Sequence, residues 1–115
     1  HTFAHSFEVE SNYKLKHGEA VIGGIYCALF LSEILGYMSS DKLDRILNDF
    51  NFIKPDRKLS LLNLEYIFSS MSKDKKNTSG KKRFVLINDI GNIVVDVVSE
   101  KSSILIAIEK MKSLI

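Results

Sequence analysis

Gly18–Leu35 reads GEAVIGGIYCALFLSEIL, and the fold turns on what this run is. Its apolar residues do not keep to one stripe at three- and four-residue steps; they occupy nearly the whole circumference of a helix. An amphipathic surface helix keeps a polar face, and a helix without one belongs in the middle of a domain or in a membrane. From Ala20 the apolar stretch covers about 16 residues, short of the roughly 20 needed to cross a bilayer, and Gly23, Gly24, Ser32 and Glu33 interrupt it. The run predicts a central buried helix, stopped by Gly36 in a left-handed conformation.

Outward from this helix, His1 to about Glu10 reads as a second helix, with Phe3 and Phe7 among the histidines at mixed three- and four-residue spacings. Ser11 to Lys16 is a polar loop that Tyr13 and Leu15 can pin. Downstream, Ser40 is the expected N-cap of an amphipathic helix from Asp41 to about Phe50, with Leu43, Ile46, Leu47 and Phe50 on its inner face. The only proline, Pro55, ends that pattern, and Ser60 to about Ser70 reads as a fourth helix with Leu61, Leu62, Leu64, Ile67 and Phe68 mostly inward. Met71 to Lys82 is a lysine-rich polar loop. Arg83–Ile87 and Ile93–Val98 are β-branched runs joined by Asn88–Asn92, which predicts a β-hairpin. Ser102 or Ser103 is expected to cap a closing helix from Ile104 to about Leu114, striped by Leu105, Ile108, Met111 and Leu114. The fold class is mainly α: a multi-helix bundle with one small β-hairpin.

The 115 residues suffice for one hydrophobic core and not for two ordinary domains. With 45% hydrophobic and 26% charged residues, the chain lies far from the composition of disorder. A net charge of +2, with acids interspersed among the lysines, gives no case for nucleic acid as the main partner, and no segment calls for a membrane. The single cysteine, Cys27, lies inside the central helix, where it can form neither an internal disulfide nor a cysteine metal site. A reducing cytoplasm is the expected compartment. The chain starts at a histidine, with no capping residue before its first helix and no basic-then-apolar leader, so it reads as a piece of something longer.

The three histidines all fall in the first seventeen residues. His1 and His5 are one helical turn apart, about 6 Å along the axis, so both imidazoles can address one small site. His17, immediately before Gly18, can supply a further nitrogen from a different segment, and Glu19 in the first turn is favoured by the helix dipole. Two histidines and a carboxylate with one open position are a standard catalytic zinc arrangement, although the carboxylate need not be Glu19. These residues could equally be caps and surface groups. Asp74, Lys75 and Lys76, followed by Lys81, Lys82 and Arg83, form a basic loop able to reach a phosphate, or else a solvated charge run. Glu8 and Glu33 are expected to pair with neighbouring lysines or to cap rather than to catalyse. Cys27 and the Phe and Tyr residues at 26, 30, 50, 52, 66 and 68 are expected in the core or at its rim.

The blocks HTFAHSFE at 1–8, LKHGEAV at 15–21 and DKK at 74–76, then GKKRFVLI at 80–87 and Ile90–Gly91, together resemble the C-terminal half of 3-dehydroquinate synthases. The resemblance covers nearly the whole chain, with the blocks in the family's order. It implies a lyase of the shikimate pathway, in aromatic amino-acid biosynthesis. Such an enzyme converts the sugar-acid phosphate 3-deoxy-D-arabino-heptulosonate 7-phosphate to 3-dehydroquinate and phosphate, using bound NAD and a divalent metal, zinc or cobalt. On this basis His1 and His17 would be metal ligands, with a third, a glutamate, upstream of His1. His5 would be catalytic and face the substrate, Lys76 would contact the substrate phosphate with Lys75 as second candidate, and Glu19 would support the site without ligating.

The same resemblance implies that residues 1–115 are a single helical metal- and substrate-binding domain whose partner, an N-terminal NAD-binding domain, is absent from the chain. Alone it should be inactive, and its exposed apolar face could drive a homodimer. Two alternatives remain open here. A related sugar-phosphate cyclase or a metal-dependent polyol dehydrogenase would share the histidines and the two-domain plan, and a non-catalytic helical interaction module would carry them incidentally.

Overall fold

The computed structural model describes residues 1–72 and 82–115. Five helices and one hairpin follow in the order α1 (Thr2–Glu10), α2 (His17–Ile34), α3 (Ser40–Asp49), a 3-10 turn (Arg57–Leu61), α4 (Leu64–Met71), β1 (Lys82–Asp89), β2 (Asn92–Ser99) and α5 (Lys101–Lys112). The architecture is mainly helical with a small antiparallel sheet, as expected. Helix α2 is its axis: α1, α3, α5 and β1 all pack on it. Phe7 of α1, Cys27 and Leu31 of α2, and Ile104 and Ile108 of α5 are fully buried, and Leu59 and Ile67 close the core. Each such apolar side chain contributes about 1.5–3 kcal/mol by leaving water.

Two glycines let α2 accept close neighbours. A Cβ on Gly24 would stand 3.4 Å from the Ala4 backbone nitrogen, and one on Gly23 would stand 2.6 Å from Leu59 Cδ1. The C-terminal end of α2 is closed by a Schellman turn, in which Tyr37 N–H donates to Ser32 O (2.9 Å) and Gly36 N–H to Glu33 O (3.0 Å), with Gly36 at φ +84°. Ser32 is wholly buried, and its hydroxyl donates to Ala28 O (2.6 Å) and accepts from Ile87 N–H (3.0 Å), which fastens β1 to the helix. At the other end of β1, Thr2 Oγ1 donates to Arg83 O (2.8 Å), so the start of α1 is fastened to the hairpin.

Several boundaries differ from expectation for local reasons. Ser39, not Ser40, caps α3, its hydroxyl accepting from Lys42 N–H at 3.2 Å. The expected helix from Ser60 divides in two. Asp56 caps the 3-10 turn by accepting from Lys58 N–H (2.8 Å), and Asn63 starts α4 by accepting from Tyr66 N–H (3.2 Å). Leu61 is consequently 84% exposed rather than inward. The hairpin ladder runs on to Asp89 opposite Asn92, leaving Ile90–Gly91 as the turn, and β2 carries an extra residue between Val94 and Val97, where Asp96 adopts φ +55°. Helix α5 starts at Lys101 without a side-chain cap, and its buried stripe is Ile104, Ala107, Ile108 and Met111, with Leu114 outside it.

Candidate metal centre

The three histidines converge because a short turn returns the chain onto α1. Helix α1 ends in a second Schellman turn: Tyr13 N–H donates to Glu8 O (2.8 Å) and Asn12 N–H to Val9 O (3.0 Å), with Asn12 at φ +54° and Tyr13 at φ +60°. Ser11 Oγ donates to Glu8 O (3.0 Å) and accepts from Leu15 N–H (3.2 Å), while the Leu15 side chain is buried. This compact loop delivers His17, the first residue of α2, beside α1. On α1, His1, His5 and Glu8 lie at steps of four and three and share one face.

The His1 and His17 ring centroids are 6.2 Å apart with planes tilted by 41°. Two imidazoles sharing a tetrahedral ion at about 2.1 Å hold their centroids about 5–5.5 Å apart, so the two rings stand roughly 1 Å further apart than a shared ion would require. His1 and His5 stack at 5.0 Å with planes 4° apart. His1 and His17 would hold the metal, and His5, stacked on His1, would stand beside it. Among the described residues no group of three His, Cys, Asp or Glu is placed to hold a metal ion. The chain's donors thus fit part of a ligand set, two nitrogens that need a third ligand. Cys27 is not an additional donor, since complete burial holds its thiol well above the usual range and keeps it protonated.

The carboxylate that touches His17 is Glu8, whose Oε1 lies 3.1 Å from Nδ1. The expectation that Glu8 pairs with a lysine or caps is corrected by this contact, for which its position seven residues after His1 on the same helix face is the sequence signal. Glu33 likewise meets Ser40 Oγ (3.0 Å). Glu19 turns away to brace the helix start: its Oε2 accepts from Lys16 N–H (3.1 Å) and from Lys58 Nζ (3.0 Å). That bond to Glu19 raises the Lys58 ammonium above its ordinary pKa. Lys75 and Lys76, expected at a phosphate, lie outside the described residues, as do Asp74 and Lys81.

Among the described residues, His1 lines cavities on two sides. One of about 420 Å³ is also lined by Arg83, Val85, Val95 and Asp96, and one of about 250 Å³ by Val21, Gly24, Ala28 and Ile93. Beside His1, therefore, the cavity wall mixes a guanidinium and a carboxylate with apolar strand residues. A third cavity of about 360 Å³, between α2, α3 and the hairpin, is apolar and holds none of the histidines.

Comparison with known proteins gives a match over residues 1–77 to the family described as 3-dehydroquinate synthase C-terminal. The chain is 40% identical to 3-dehydroquinate synthase of Chlorobium chlorochromatii, with 97% of this chain and 33% of that protein aligned. It is 44% identical to 3-dehydroquinate synthase of Pelagibacter ubique over 82% of this chain and 27% of that protein, and 39% identical to that of Chlorobaculum parvum over 80% and 27%. The chain spans about a third of the length of the curated relatives it matches or somewhat less.

Proposed function

We propose a function from one premise, that this chain belongs to the 3-dehydroquinate synthase family: residues 1–115 are the helical metal- and substrate-binding domain of an enzyme converting 3-deoxy-D-arabino-heptulosonate 7-phosphate to 3-dehydroquinate and phosphate. The observation that carries the reading is the clustering of His1, His5 and His17 at ring separations of 5.0 and 6.2 Å. His1 and His17 each offer one nitrogen to a divalent metal, zinc or cobalt, whose third protein ligand comes from the rest of the protein. NAD is held by that same remaining part, an N-terminal nucleotide-binding domain. The complete protein works in the cytoplasm, and residues 1–115 alone pair through the apolar face that the missing domain would cover. Among the described residues no helix is long and apolar enough to cross a membrane.

Bound metal and NAD supply polarisation of a hydroxyl and its reversible oxidation, which acidifies the neighbouring C–H and lets phosphate leave. The chain's own residues do the rest. His5, stacked behind His1 and out of its plane, faces the substrate and holds or passes a proton near the leaving phosphate. Lys76, with Lys75 as second candidate, neutralises that phosphate as an ammonium point charge. Glu19, through Lys58 and the Lys16 amide, holds the first turn of α2 in place and so fixes the direction of His17.

The test is to supply the sugar-acid phosphate to the complete metal- and NAD-loaded protein. Dehydroquinate and phosphate in equal amounts are expected, with loss of about 100- to 10,000-fold in turnover, the scale of general acid–base catalysis, on His5→Ala, and no turnover by residues 1–115 alone. Release of phosphate with a different carbocycle would assign the domain to another sugar-phosphate cyclase.

A further inference from the structure

We infer that Glu8 is a positioning residue for the metal centre: by accepting the Nδ1–H of His17 it sets the tautomer of that ring and directs the other nitrogen, Nε2, at the ion. The inference rests on the metal-ligand reading of His17 given above. A carboxylate has only lone pairs to offer, so the 3.1 Å contact between Glu8 Oε1 and His17 Nδ1 requires the imidazole nitrogen to donate. A neutral ring that donates through Nδ1 carries its lone pair on Nε2, and a metal is ligated through that lone pair. Without a partner, the ring is free to place its proton on Nε2 and to rotate, and each change removes the ligating nitrogen from its position.

The surroundings make Glu8 the fixed member of the pair. Its side chain is 17% exposed, against 60% for His17, and its own backbone carbonyl is doubly engaged by Tyr13 N–H and Ser11 Oγ. The last turn of α1 is thus the stiff element, and His17 is the reaching one. His1 is positioned differently, through the tie of Thr2 to the hairpin at Arg83 O. The two ligands are therefore aimed by separate devices on one helix, and the loss of Glu8 should loosen one nitrogen while leaving the other in place.

Two measurements on the complete protein separate this inference from the reading beneath it. The first uses metal-free protein labelled with 15N-histidine. The His17 shifts should report protonated Nδ1 in the wild type and in Glu8→Gln, whose amide oxygen can still accept, and a shift towards protonated Nε2 in Glu8→Ala. Unchanged His17 tautomers in Glu8→Ala overturn the inference. The second titrates Zn²⁺ against a chromophoric chelator. Glu8→Ala should weaken affinity by about 10–100-fold, the usual consequence of removing a carboxylate behind a ligating histidine, and Glu8→Gln should recover most of the loss. Wild-type affinity in Glu8→Ala, alongside collapse of affinity in His1→Ala and His17→Ala, overturns the inference alone. Wild-type affinity in all three variants overturns the metal-centre reading itself.

Discussion

The two ends of α2 are built on opposite principles. The C-terminal end is closed: Leu31 and Ser32 are fully buried, Ser32 satisfies a strand amide, and Gly36 seals the last carbonyls. The N-terminal end is open: His17 is largely exposed and bonded to Glu8, while Glu19 beside it accepts from Lys16 N–H and Lys58 Nζ. On the proposed function, one helix carries stability at one end and ligating chemistry at the other. A site that must admit an ion and a substrate cannot be packed like a core, and its geometry has to come from hydrogen bonds fixed to something that is packed.

Substitutions at the two ends should therefore sort cleanly. The largest loss is expected for Leu31→Ala, about 2–5 kcal/mol from lost transfer energy and the cavity left behind, read by chemical denaturation. His17→Ala, changing a largely exposed residue, should stay within about 0.5 kcal/mol of wild type in the same assay. If the two variants lost similar stability, the division of labour along α2 would fail.

Ser32→Ala tests the closed end more finely. It leaves the part-buried Ile87 amide without its acceptor, which should cost about 1–3 kcal/mol and expose the amides of β1 to faster hydrogen exchange than those of α5. Uniform protection across both elements would mean that Ser32 is not the fastening point.

How far these features could be read from sequence follows the same division. The closed end was readable: an apolar run with no polar face fixes a central helix, Gly36 marks its stop, and β-branched runs around a glycine mark the hairpin. The convergence of His1, His5 and His17 was readable in part, since helical spacing brings the first two together. The return of His17 depends on Asn12 and Tyr13 entering left-handed backbone, for which no glycine gives a signal. The partner of Glu8 is not legible in the sequence because an acidic residue among lysines offers many partners, and only the folded turn selects the imidazole. The split before α4 was missed because Ser60 and Asn63 are both competent caps, and the choice between them depends on Leu59 burying itself in the core while Leu61 points outward.

Two smaller effects sharpen the account of the open end. Tyr13 holds φ +60° with its side chain 69% exposed, so Tyr13→Gly should relieve roughly 1 kcal/mol of left-handed strain, offset in part by the greater freedom of glycine when unfolded. A net melting-temperature rise of a few degrees at most is expected, and a fall would show that the tyrosine ring packs usefully. The smallest effect concerns Lys58. Its raised pKa, set first by the Glu19 hydrogen bond, means that its contribution is fully present below the ordinary lysine value and is lost as pH rises through the folded one. The difference in melting temperature between wild type and Lys58→Met should be constant near neutrality and close above about pH 10.4. A difference that closed on acidification instead, before the carboxylate range, would contradict the pairing.

The central claim is that His1 and His17 aim at one ion, and X-ray absorption at the metal edge of the complete, zinc-loaded protein tests it most directly. The account predicts two imidazole ligands in the wild type, and one in each of His1→Ala and His17→Ala where metal is retained. A wild-type spectrum fitted by a single imidazole, or by none, would contradict it.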